Sequence, residues 1–264
     1  MQAALVFALA ASADGLRPVR HPDTKSYEWS LPPERTAPEL LSHYRTAGYP
    51  FFLRGLGALH LGWGSIPSAQ LIVYLVSVLL FWSGARTWWG RPWLAFAAAT
   101  PLLWLDVFEL APLVQPDFLS CGLLIAVVGL LLHLLHRPRN GWLWAALAAA
   151  VFATYQVRPA TVFLIGWVPL LGALLCRLRP PATWREAASR ATGLAAATIL
   201  PWLAFSLLRL FTVGHFGVVA FGGYNLSALA SCFVDEELVA DLPAPDAVLA
   251  RGSCNGGEPT VGAP

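Results

Sequence analysis

From residue 66 to residue 211 the chain alternates long apolar runs with short polar breaks. The runs fall at about 66–84, 92–111, 117–135, 142–157, 160–176 and 191–210. Each approaches the roughly 20 apolar residues that a membrane-spanning helix needs. Proline or glycine stands in every break: "RTWWGRP", "APLVQP", "HRPRNG", "VRPA" and "RLRPPATWREAASR". Pro101, Pro169 and Pro201 fall inside runs, where membrane helices tolerate them as kinks. The first thirteen residues, "MQAALVFALAASA", are apolar but too short to cross alone. They read either as a signal segment ending in a small-residue cleavage site or as the outer half of a first span. Residues 14 to about 50 are polar, and "YPFFLRGLGALHLGW" then reads as a short interfacial helix, closing a long first loop at about 14–65.

The pattern predicts an all-α, polytopic transmembrane bundle of about seven spans, with residues 1–211 forming the membrane module. The segment 212–264 changes character, becoming acidic and then rich in Gly and Pro, and reads as a partly disordered tail. Composition agrees with the span pattern. Of 264 residues 57% are hydrophobic and 12% charged, with a mean hydropathy of +0.60. A soluble domain carries about 25% charged residues, so a water-facing surface could not be covered here. Arginine outnumbers lysine so far that Lys25 is the one lysine, which fits a GC-rich bacterial genome. The net charge of +2 gives no reason to expect nucleic acid.

Charge distribution predicts orientation. Eight arginines (86, 91, 137, 139, 177, 179, 185 and 190) lie in alternate connections, against Arg158 alone in the others. Basic connections face the cytoplasm. The loop at 14–65, the turn at 112–116, Arg158 and the tail are therefore expected outside. Trp88, Trp89, Trp93 and Trp142 stand at the cytoplasmic ends, a favoured place for indoles.

Polar chemistry then gathers on one surface. Asp23 lies in the first loop, Asp117 opens the fourth span and Arg158 precedes the sixth; Asp106 and Glu109 add carboxylates near the third. Ionisable groups at a bilayer point to function, but each has a plain structural use. Asp117 can cap a helix, Asp23 can shape a turn, Asp106 and Glu109 can solvate each other, and Arg158 can snorkel. Cys121 and Cys176 read as small core residues, while Cys232 and Cys254 could pair outside the cytoplasm. Asn225 heads a glycosylation sequon of little weight in a bacterial chain. No clustered set of ligands indicates a metal.

"PDTKSYEW", followed by a polar stretch and "YRTAGYPFFL", resembles the first external loop of integral-membrane glycosyltransferases of the GT-C fold. That family opens the loop with an acidic residue in a "PD-T/S-x-S-Y" setting and closes it with an "R-x-P-G-Y-P-L-F-L"-like run. Arg45, Gly48, Tyr49 and Pro50 match, whereas Ala47 replaces a proline. "VQPDFLS" is similar to the second external loop and "VRPATVFLIGWVPLL" to the Arg-Pro start of a later span. The resemblance, to protein mannosyltransferases and aminoarabinose transferases of lipid A, covers about residues 15–230. The chain stops where the family's further spans would begin, so only the N-terminal seven-span module is expected.

The resemblance implies a sugar moved from a polyprenyl-phosphate donor to a glycan or lipid acceptor on the extracytoplasmic side of a bacterial plasma membrane. No separate cofactor is implied. Asp23 would be the general base, with Asp117, Arg158, Arg45 and Tyr49 binding donor and acceptor; His21 could tune Asp23, whereas His133 and His136 lie at the opposite end of their span. Two other readings stay open. A transporter or flippase for an amphipathic solute would need paired charges near the bilayer midplane, where no charged residue clearly stands. A non-catalytic, truncated membrane protein would fit the short C-terminal end.

Overall fold

The computed structural model describes residues 16–28, 36–42, 45–104, 108–178 and 183–217, all within one compact unit, Met1–Val218. The expected first half-span, Asp106, Arg179, Cys232, Cys254, Asn225 and nearly all of the tail lie outside the described residues.

Within the described residues the architecture is all-helical. A 3-10 turn at Pro22–Thr24 leads into α1 (Lys25–Glu28), followed by α2 (Ala37–Ser42), α3 (Gly48–Ala58) and α4 (Ile66–Trp89). Next come α5 (Pro92–Ala99, extended by a 3-10 turn at Thr100–Leu103), α6 (Pro116–His136) and α7 (Gly141–Val157). A 3-10 turn at Pro159–Phe163 feeds α8 (Leu164–Arg177), and α9 (Trp184–Val213) ends the series. Among the described residues no strand forms, and Val19 and Leu113 make an isolated parallel bridge.

Helix boundaries follow local chemistry. α9 opens with a capping box, in which the Thr183 hydroxyl accepts from the Glu186 N–H and the Glu186 side chain accepts from the Thr183 N–H. Asn140 caps α7 by accepting from the Trp142 N–H at 3.0 Å. α4 and α9 stop at Gly90 and Gly214, whose φ angles of 64° and 76° are left-handed. Such caps favour a residue without Cβ.

Among the described residues four helical segments are long and apolar enough to cross a membrane: Trp63–Trp89, Pro116–His136, Pro159–Arg177 and Trp184–Val213. The expected spans at 92–111 and 142–157 form shorter apolar helices, Pro92–Leu103 and Gly141–Val157. At 1.5 Å per residue the former reaches about 18 Å, well below the ~30 Å of a hydrocarbon core. Pro101 explains its early end, because proline offers no N–H to the carbonyl four residues back. The chain passes through a 3-10 turn to extended Trp104.

Close approach of backbones holds the bundle together. A Cβ on Gly129 would fall 2.7 Å from the Phe81 nitrogen, and one on Gly84 would fall 2.6 Å from the Gly129 oxygen. Gly122 abuts Tyr74 in the same seam, so α4 and α6 run parallel. Small residues at such contacts are the usual device where lipid removes the hydrophobic drive for helix pairing. α8 and α9 run antiparallel, with Thr198 donating to the Ile165 carbonyl and Gly172 against Leu194. α7 and α9 run parallel through Trp144 against Gly193 and Phe152 against Phe205. The outer surface stays apolar: Ile72, Val76 and Leu79 form an exposed stripe on α4, and Leu200, Leu208 and Phe211 are exposed on α9. A water-soluble bundle would place polar residues there; these helices have the surface of membrane helices.

Candidate functional site

Two ends of the bundle differ in chemistry. The connections after α4, α6 and α8 form the arginine end. The other end, here the carboxylate end, gathers segments far apart in sequence.

The first loop is pinned there by hydrogen bonds. The Thr24 hydroxyl accepts from the His21 N–H at 2.8 Å and donates to the Val114 carbonyl at 2.9 Å. Val19 donates to Pro112 at 2.8 Å and accepts from Val114 at 3.1 Å. The His21 ring nitrogen Nδ1 accepts from the Asp23 N–H at 3.3 Å, so His21 caps the turn and touches the backbone of Asp23. Val114 lies just ahead of α6, which fixes the loop beside the start of that helix.

Asp23, half exposed, pairs through Oδ1 with Arg45 Nη2 at 2.9 Å. Arg45 Nη1 donates to the Tyr27 hydroxyl at 3.1 Å, and its guanidinium carbon lies 5.1 Å from the Tyr27 ring centroid. Tyr27 is buried and meets Tyr49 edge-on at 5.0 Å. These contacts orient the Asp23 carboxylate while leaving part of it open to solvent.

Gly48 brings in a second wall. A Cβ there would fall 2.4 Å from the Gln156 carbonyl carbon and 2.7 Å from the Val157 nitrogen. The start of α3 therefore lies directly on the last turn of α7, one residue from Arg158. Arg158 closes α7 and forms an ion pair with Asp117, the second residue of α6. Asp117 thus combines the helix-start role open to it with a specific cationic partner.

Of the five residues singled out from sequence, four stand as two carboxylate–guanidinium pairs at this end: Asp23 with Arg45 and Asp117 with Arg158. Tyr49 differs. It is wholly buried, and its hydroxyl donates to Gln70 Oε1 at 3.2 Å. Gln70 Nε2 in turn donates to the Ala111 and Leu113 carbonyls at 3.1 and 3.2 Å. Burial, reinforced by neighbouring Tyr27, holds the Tyr49 phenol well above its ordinary range, so it remains a neutral donor. In this arrangement Tyr49 braces the loop against α4.

Glu109 is exposed and joins neither pair. His133 bonds Ser83 at 2.8 Å in the last turn of α6, at the arginine end. Cys121 and Cys176 are free thiols. Among the described residues no three His, Cys, Asp or Glu side chains gather as a metal-binding group.

Sequence reading missed three polar residues: Thr24 and Gln70, which tie the carboxylate end together, and Arg209. Arg209 is buried in α9 and donates to the Leu41 carbonyl at 3.0 Å and the Gly217 carbonyl at 2.7 Å. Its signal was present as the lone charge in "LLRLF", at the edge of an apolar run.

Chemically, the arrangement offers carboxylates able to accept a proton and guanidiniums able to hold a phosphate or another anion. Comparison with protein families, with curated proteins and with solved structures finds no match to this chain.

Proposed function

We propose that the chain is a membrane glycosyltransferase of GT-C type, moving a sugar from a polyprenyl-phosphate donor to a hydroxyl of a glycan or lipid acceptor outside the cytoplasm. One observation carries the reading. Asp23–Arg45 and Asp117–Arg158 come from four separate segments, yet both pairs stand at the same end of a bundle whose flanks are apolar.

In the proposed reaction the acceptor oxygen attacks the anomeric carbon and its proton passes to Asp23. The bond from that carbon to the phosphate oxygen breaks, and the polyprenyl phosphate leaves with the electron pair. Arg158 is oriented by Asp117 and still has N–H groups for the departing phosphate, because a guanidinium carries five donors. Arg45 keeps the Asp23 carboxylate in place. The polyprenyl tail lies along the exposed leucines and phenylalanines of the spans. The positive charge of the opposite connections supports a bacterial plasma membrane with this site facing outward.

The test is transfer of radiolabelled sugar from a polyprenyl-phosphate donor by the chain in proteoliposomes. Asp23→Asn should lower transfer by about 10²–10⁴-fold, as expected for loss of a positioned base, while membrane insertion persists. Undiminished transfer would remove Asp23 from the chemistry.

A further inference from the structure

Arg209 is a buried charge near the end of α9. It lies four residues before the end of α9 at Val213, about 6 Å down the helix axis, and is 1% exposed. Its Nε and Nη1 meet two carbonyl oxygens, but Nη2 has no hydrogen-bond partner. No carboxylate among the described residues pairs with it. Carbonyls accept hydrogen bonds yet bring no countercharge. Arginine cannot escape by losing its proton, and an uncompensated buried charge is strongly unfavourable.

A second vacancy faces the same way. Ser206 is fully buried, one helical turn earlier on the same face, and its hydroxyl has no partner. Ser120 in α6 shares this state, but several other helix hydroxyls of the bundle do not. Ser77, Thr87, Thr154, Thr192 and Thr212 each donate to the carbonyl four residues back. The Phe152–Phe205 contact sets α7 at the same height as this part of α9. One turn further along α7, the hydroxyl of fully buried Tyr155 is also without a partner.

We propose that Arg209 and Ser206 form a binding site for the phosphate of an anionic membrane phospholipid. The ligand that fits is an anion, because this positive charge has no carboxylate partner among the described residues. Several oxygens are needed, because an arginine arm and a hydroxyl are vacant together, and a phosphate suits that fork. The source is the bilayer. Leu208, Leu210 and Phe211 around Arg209 are exposed and apolar, so the approach runs along lipid. Admission requires the Gly217 carbonyl to release Nη1. Gly214 and Gly217, at φ 76° and 117°, give that short segment backbone freedom that other residues lack. The inference rests on the membrane character of the bundle and is independent of sugar transfer by Asp23.

The test uses the full chain in neutral detergent, with phosphatidylglycerol, phosphatidylcholine or inorganic phosphate added. Thermal unfolding and native mass spectrometry report binding. Phosphatidylglycerol should raise the wild-type midpoint by several degrees and remain bound, with a much smaller response to phosphatidylcholine. Ser206→Ala should weaken retention by about tenfold, the cost of one hydrogen bond to a charged group. Arg209→Gln should abolish the specific response. Arg209→Lys keeps the charge without the fork and should fall between. Arg190→Gln, at the arginine end, should retain the wild-type increment. If Arg209→Gln does not fold, Ser206→Ala and Arg209→Lys decide the matter. Equal responses in wild type, Ser206→Ala and Arg209→Lys would overturn the site. Stabilisation by inorganic phosphate alone, equal to that by phosphatidylglycerol, would overturn its lipid source.

Discussion

The two ends of this bundle use arginine in different ways. At the arginine end Arg86 lies 5.6 Å from the Trp82 ring and Arg177 5.0 Å from the Trp184 ring. The nearby acid Glu186 serves a helix cap. At the carboxylate end Arg45 and Arg158 each meet an aspartate. An arginine-rich surface laid on indoles suits anionic headgroups and helps fix orientation. Alternating signs suit a polar solute that must be turned and held. The contrast teaches that an arginine laid on an indole ring and an arginine set against an aspartate carry different information.

The largest effect should come from separating the walls of the carboxylate end. In Gly48→Val the new side chain would strike the backbone of Gln156, which has no flexible end to yield. Overpacking of this kind costs about 1–3 kcal/mol or more, so the thermal midpoint should fall by several degrees. Gly55→Ala in the same helix meets nothing within 4 Å and should leave the midpoint nearly unchanged. Equal losses would mean that α3 is sensitive throughout and that its start is no special junction.

Charge reversal at the other end comes next. Arg137→Glu with Arg139→Glu removes two of the eight arginines that set the asymmetry. Reporter fusions at residues 23 and 117 should then show mixed orientation, whereas wild type should place both on the non-cytoplasmic side. Wild-type fusions reporting opposite sides would end the idea of a shared surface.

These experiments also probe what the sequence made legible. Apolar runs reveal membrane helices directly, since burial in lipid needs no long-range partner. The stop at Leu103 was readable in principle from Pro101, but the continuing apolar residues masked it. That Asp23, Arg45, Asp117 and Arg158 would gather at one end of the bundle was expected from loop position, and they stand together there. Their pairing did not, because it depends on Thr24 reaching Val114 and Gly48 reaching Gln156 across the fold. Tyr49 shows the same limit. Its place in a motif said nothing about which side of α3 would be buried. Arg209 was hidden by its neighbours, since a single charge at the edge of a run barely changes average hydropathy.

A finer contrast lies within the carboxylate end. The Asp117 and Arg158 side chains are 27% and 47% exposed, so water screens their attraction. A double-mutant cycle with Asp117→Asn and Arg158→Gln should give a coupling on the order of 1 kcal/mol, reduced by added salt. A coupling near zero would leave Asp117 as a helix-start residue and Arg158 as an independent cation.

The smallest effect is expected at Arg20–Glu28, where the contact is 3.2 Å but Arg20 is 75% exposed. Holding two long side chains together in water costs entropy nearly equal to the Coulomb gain. Glu28→Gln should therefore shift stability by less than about 0.5 kcal/mol, and the shift should vanish at high salt. This weak pair tests the meaning of the stronger ones. Arg20–Glu28 has the right partners and distance, but only one of its side chains is even partly enclosed. Asp23–Arg45 adds Tyr27 as a second contact and a more enclosed guanidinium, at 21% exposure. If Glu28→Gln and Asp23→Asn cost the same stability, ion pairing alone distinguishes neither aspartate nor glutamate. If only Asp23→Asn costs stability, enclosure by the tyrosine determines which surface charges are held in place at this end.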